Sequence, residues 1–233
     1  MRIPSAYGNR RIPRAVLAVF VLVAAVDLTS LATGFTPGHS VAKPLLMPLL
    51  AAYCVVSGAP RLLLGALLCG WAGDVLLLSD ADPAFLAGMA SFAAGHVCYL
   101  ALFQTYGSPR ARVGLLAPAY ATALVVTVVA LWPHLPAGLR VPVAGYSVLL
   151  TAMACASAVR FGALTGVGGA LFLLSDTLIA TGVADRPPLP RPDFWIMLTY
   201  VAAQFLLAGG TLRALEARPG PMATYGEMRS TTP

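Results

Sequence analysis

The chain has 233 residues, of which 58% are hydrophobic and only 10% charged, with a mean hydropathy of +0.80 and a net charge of +6. Soluble domains carry about 25% charged residues, so this composition excludes a soluble globular enzyme and leaves little room for a separate soluble domain. In so apolar a chain the positive balance speaks to membrane topology, not to nucleic acid.

At about 20 residues per span, the length accommodates eight transmembrane helices. The apolar runs predict an all-α polytopic bundle with helices at 14–33, 41–57, 60–79, 83–106, 112–132, 140–160, 162–183 and 193–215. Turn signals separate them: Thr36-Pro37-Gly38, Gly58-Ala59-Pro60, Asp80 to Pro83, Gly107-Ser108-Pro109, Pro133 to Gly138 and Arg186 to Pro192. The least marked boundary is Phe161-Gly162. Arg10, Arg11 and Arg14 precede the first run in the manner of a signal peptide. No small-residue cleavage site follows, which predicts a retained first helix. Residues 1–215 therefore read as one transmembrane domain and 216–233 as a disordered tail.

Eight spans place eleven basic residues on the side of the termini and four on the other, Lys43, Arg140, Arg186 and Arg191. That asymmetry predicts both termini in the cytoplasm. The arginine-rich composition suggests a GC-rich bacterial source, hence the plasma membrane. Cys54, Cys69, Cys98 and Cys155 show no metal-ligand spacing and read as small core residues. His39 and His134 fall in predicted loops, and no metal or cofactor is expected.

Two aspartates interrupt the apolar runs, Asp74 in CGWAGDVLLL and Asp176 in ALFLLSDTLIA. A carboxylate at membrane depth costs roughly 2.5 kcal/mol or more on insertion scales, so it persists where it faces a protected cavity and has a role there. At 1.5 Å per residue, Asp74 lies roughly 8 Å and Asp176 roughly 10 Å below the predicted outer helix ends. Asp27, Tyr146 and Tyr200 fall near the same level, Lys43 lies above them, and His96 and Gln204 lie deeper. Two carboxyls in one dry site can share a proton and so supply an acid and a base. Helix packing is the competing explanation, strongest for Asp27 beside Thr29 and Ser30. Lys43 is the single lysine, and snorkelling competes with a binding role for it. On the fourth helix, Phe85, Gly88, Phe92, His96 and Tyr99 share a face, and Tyr200 and Gln204 are an i, i+4 pair on the eighth.

Lys43-Pro44, Gly73-Asp74, Phe85-x-x-Gly88 with Phe92, His96 and Tyr99, Gly169-Ala170 through Ser175-Asp176, and Tyr200-x-x-x-Gln204 together resemble the YhhN/TMEM86 family. The resemblance covers helices 2 to 8. It implies an eight-helix membrane protein and a lysoplasmalogenase activity, cleaving the vinyl ether bond of a lysophospholipid to a fatty aldehyde and a glycerophospho-headgroup. It also implies catalytic roles for Asp74 and Asp176. The substrate-binding candidates beside them are Lys43, Tyr146, His96, Tyr200, Gln204 and Asp27. Vinyl ether hydrolysis proceeds by protonation of an alkene carbon and addition of water, which two carboxyls can serve.

A transporter or lipid-binding protein is the alternative. Gly73-Asp74-Val75-Leu76 echoes Ser175-Asp176-Thr177-Leu178, as in a four-plus-four parallel repeat with a proton or cation site at its interface.

Overall fold

A computed structural model describes residues 11–79, 81–108, 113–187 and 189–217, with 113–115 as backbone only. The predicted tail from Arg218 onward lies outside these residues, as do six of the basic residues in the topology count. Among the described residues every regular element is helical: α1 Arg11–Thr33, α2 Thr36–Val56, α3 Arg61–Leu76, α4 Asp82–Tyr106, α5 Val113–Leu131, α6 Ala137–Phe161, α7 Ala163–Val183 and α8 Pro192–Glu216. A single 3-10 turn, Trp132–His134, follows α5. Seven of the eight helices are long and apolar enough to cross a membrane. The exception is α3, with 16 residues.

Helix ends follow the local chemistry. Gly34 and Gly58 adopt φ of +77° and +75° and turn the chain on either side of α2. Gly162, at φ +96°, is the whole connection between α6 and α7, so the least marked sequence boundary is real and one residue wide. The start of α2 differs from the expectation. Thr36-Pro37-Gly38 reads as a turn, yet it forms the helix's first turn, where the missing proline N–H costs nothing. His39 consequently rides on a helix, not in a loop. His134 lies in the 3-10 turn. The third helix stops at Leu76, three residues short of the predicted end, and leaves Asp74 within its last turn.

The core is dominated by the faces that α2, α3, α4, α6 and α8 turn toward one another, with Leu46, Leu50, Leu67, Phe103, Met153 and Leu207 fully enclosed. Small residues permit close approach. A side-chain carbon at Gly168 would lie 2.9 Å from the backbone nitrogen of Leu207, so α7 and α8 meet nearly backbone to backbone. The outer surface carries large exposed apolar residues such as Val125, Val126, Val129 and Val141, as a surface facing lipid requires. Helix α5 is the most peripheral, resting mainly on α6.

Neighbour relations are partly repeated, since α3 packs on α2 and α4 while α7 packs on α6 and α8. The polar partners of the two aspartates, described next, do not follow that repeat.

Candidate active site

Asp74 is buried at 3% exposure near the C-terminal end of α3. Tyr200, on α8, donates its phenol proton to Asp74 Oδ2 at 2.8 Å. Behind it, Gln204 Nε2 donates to the Tyr200 oxygen at 3.3 Å, and Tyr99 donates to Gln204 Oε1 at 2.7 Å. The amide is thereby fixed in orientation, and the Tyr200 proton has one direction left to go, toward Asp74. Glycine makes this approach possible: a side-chain carbon at Gly70 would meet both Gln204 Nε2 and the Tyr200 oxygen at 3.1 Å. One turn on, a carbon at Gly73 would strike the Phe92 ring at 2.6 Å.

Asp176, half-buried on α7, has a different set of partners. Tyr146, on α6, donates to Asp176 Oδ2. His96 Nε2 lies 3.0 Å from the same phenol oxygen. Because that phenol gives its proton to the carboxyl, the imidazole donates from Nε2 and leaves Nδ1 as an acceptor. That Nδ1 is buried and has no hydrogen-bond partner. Asp176 and Tyr146 lie on the wall of a cavity of about 290 Å³ between α4, α5, α6 and α7. The rest of the wall is mostly apolar, with Phe85, Met89, Leu124 and Leu173 among its residues.

No hydrogen bond joins the two carboxyls among the described residues. Between their networks stand Phe92 and Phe172, edge to face at 6.3 Å, each also edge-on to Tyr200. Phe172 touches His96 as well, at 4.8 Å. Lys43 is buried at 9% exposure on α2 and makes no hydrogen bond or ion pair among the described residues. It lies one turn inward from His39, on the same face of that helix.

Asp27, fully buried on α1, takes a hydrogen bond at Oδ1 from His39 Nδ1, 2.8 Å away. Its Oδ2 is buried without a partner. The expected residues thus divide into three groups: Asp74, Tyr200 and Gln204; Asp176, Tyr146 and His96; and Asp27 with His39, while Lys43 stands near the first. His39, Tyr99, Gly70 and Phe172 are the additions that reading the sequence did not assign to the site. The glycine spacing Gly70-x-x-Gly73 beside Asp74 was the available signal for one of them. Ser175, next to Asp176, is spent on structure, donating to the Ile196 carbonyl at 3.0 Å. Among the described residues no group of three or more His, Cys, Asp or Glu side chains is placed to hold a metal ion.

A multi-pass helical bundle with two carboxyls on apolar helices, each bonded to a tyrosine of another helix, defines an integral membrane protein. The chain belongs to the YhhN family, whose model matches residues 38–211. It is 37% identical over 155 residues to the lysoplasmalogenase TMEM86B of Sus scrofa, covering 66% of this chain and 65% of that protein. Similarity to the Homo sapiens protein of the same name is 37% over 162 residues, 67% of this chain and 66% of the relative. A lysoplasmalogenase of Mycobacterium tuberculosis is 32% identical over 210 residues, 79% of this chain and 78% of the relative. The chain spans about two thirds of the length of the mammalian relatives. No solved structure matches it. The family match begins beyond Asp27 and takes in Lys43, both membrane aspartates and their tyrosines.

Proposed function

We propose that this protein is a membrane-embedded hydrolase that cleaves the vinyl ether bond of lysoplasmalogen-type lysolipids by aspartate acid/base catalysis, as a single transmembrane domain of the plasma membrane. The observation that carries the reading is the Asp176–Tyr146 pair on the wall of an apolar cavity, in a chain whose relatives are named lysoplasmalogenases. The cavity suits a hydrocarbon chain, and its acidic edge suits the polar bond at that chain's end.

In this reading the alkenyl chain lies in the cavity and Asp176 delivers a proton to the alkene carbon beyond the ether-bearing one. The resulting oxocarbenium ion is stabilised by the Asp74 carboxylate, which also takes a proton from the attacking water. Water adds to the ether-bearing carbon, and the hemiacetal collapses to an aldehyde and a glycerol hydroxyl. One water is consumed; Asp74 then releases its proton to water and Asp176 takes one up, which restores both carboxyls with no net change in protons. Tyr146 and His96 orient Asp176; Tyr200 and Gln204 orient Asp74. Lys43, which makes no hydrogen bond or ion pair among the described residues, serves the polar part of the substrate. The chemistry requires no metal.

The test is aldehyde release from lysoplasmalogen by the purified protein in detergent. General acid–base groups contribute about 10²–10⁴-fold, so Asp74→Asn and Asp176→Asn should each lower kcat by that order, and a chelator should change nothing. Proton-coupled uptake into vesicles without aldehyde would replace this reading with the transporter. Retention of more than a tenth of the activity in both variants would end it as well.

A further inference from the structure

A second cavity, of about 210 Å³, opens between the ends of α1, α2 and α8. Its wall includes Ser30, Thr36, His39, Arg191, Asp193 and Phe194. It is separate from the apolar chamber at Asp176 and shares no residue with it.

The chemistry of this wall favours an anion. His39 is braced from behind, since its Nδ1 is bonded to the fully buried Asp27. His39 lines the cavity with Nδ1 bonded to Asp27, which leaves Nε2 as the ring nitrogen for a ligand, and the protonated imidazole donates from it. The Arg191 guanidinium is exposed and has no hydrogen bond or ion pair among the described residues. Its backbone is held at φ +54° at the N-cap of α8. Both α2 and α8 begin at this wall, and neither has a side-chain cap. The positive ends of two helix dipoles therefore add to the arginine and the imidazole. The opposing charges are Asp193, on the same wall, and Asp27, behind His39.

We infer that this cavity is a phosphate-ester subsite, holding the phosphate of the lysolipid headgroup between Arg191 and His39. The inference rests on the hydrolase reading for the identity of the ligand. Arginine recognises phosphate through paired N–H groups, and phosphate at the start of a helix is a recurrent arrangement. His39 and Lys43 share a face of α2 one turn apart. A lysolipid gripped here by its phosphate would lay its glycerol along Lys43 and its ether bond toward the aspartates.

The experiment compares Arg191→Gln and His39→Gln with the wild-type full chain in detergent. The first readout is the ratio of kcat/KM for an alkenyl glycerophospholipid to that for the same alkenyl glycerol without phosphate. Each variant should lower this ratio about tenfold. An unchanged ratio, or an equal loss on both substrates, overturns the subsite. The second readout is thermal stabilisation by glycerophosphoethanolamine and by inorganic phosphate, which needs no catalysis. Stabilisation by the glycerophosphodiester that weakens in both variants supports the inference even if the protein hydrolyses nothing. Equal stabilisation by inorganic phosphate reassigns the cavity to the free ion and overturns the headgroup role. No stabilisation by either probe overturns both.

Discussion

Replacing Tyr200 by Phe removes a single oxygen from the centre of the Asp74 network. The ring itself is held at edge-to-face distances of 5.9 Å and 5.5 Å from Phe92 and Phe172, so it should stay in place. Two hydrogen bonds disappear. Asp74 loses the one donated by the phenol, and Gln204 Nε2 loses its acceptor. A hydrogen bond to a charged group contributes about 1.5–3 kcal/mol, and leaving a buried donor unpaired costs about 1–3 kcal/mol. If Asp74 must hold its position as a carboxylate in the rate-limiting step, kcat should fall roughly ten- to hundredfold, at about 1.4 kcal/mol per tenfold. Stability should fall by a separate amount of about 1–3 kcal/mol, from the stranded Gln204 amide. The assay is aldehyde release under saturating substrate, with unfolding of the same detergent sample followed in parallel. A variant that unfolds earlier but turns over within twofold of wild type would refute the reasoning, because it would make the network structural alone.

Lys43→Met should separate function from stability. An ammonium buried without a partner carries an unrecovered desolvation cost, so the variant should unfold no earlier than wild type while its KM for phosphate-bearing substrate rises. A lower unfolding temperature with unchanged KM would reverse that assignment. Leu124→Trp narrows the apolar cavity from the α5 side. Preference measured across a series of alkenyl chain lengths should shift to shorter chains, and an unchanged preference would place the chain elsewhere.

Much of the bundle was legible because Pro and Gly punctuate long apolar runs, and the one-residue seam at Gly162 was found that way. The start of α2 was not, because Thr36-Pro37-Gly38 satisfies the rules for a turn and for a helix's first turn equally. That ambiguity also hid the Asp27–His39 pair, which forms only when His39 is on a helix facing α1. Residue counting along predicted helices singled out Asp74, Asp176, Tyr146 and Tyr200 together. It could not give their partners. α3 and α4 each carry too few polar residues to form a stripe, so the pattern does not fix which way each helix is rotated. Tyr200 of α8 serves Asp74, whereas Tyr146 of α6 serves Asp176, and the aromatic pair between them is a product of packing. The motif echo between the two aspartates survives only as neighbour order.

The brevity of α3 has a consequence for hydration. Sixteen residues make a rod of about 24 Å, against a hydrocarbon slab of about 30 Å. Such a mismatch draws the bilayer thinner beside the rod or pulls interfacial water down to its end. Asp74 sits two residues from that end, while Asp176 opens on an apolar chamber walled by longer helices. Where the bilayer thins beside α3, water comes nearer to the Asp74 end of the site than to the apolar chamber at Asp176, a division that suits a reaction joining water to a lipid chain.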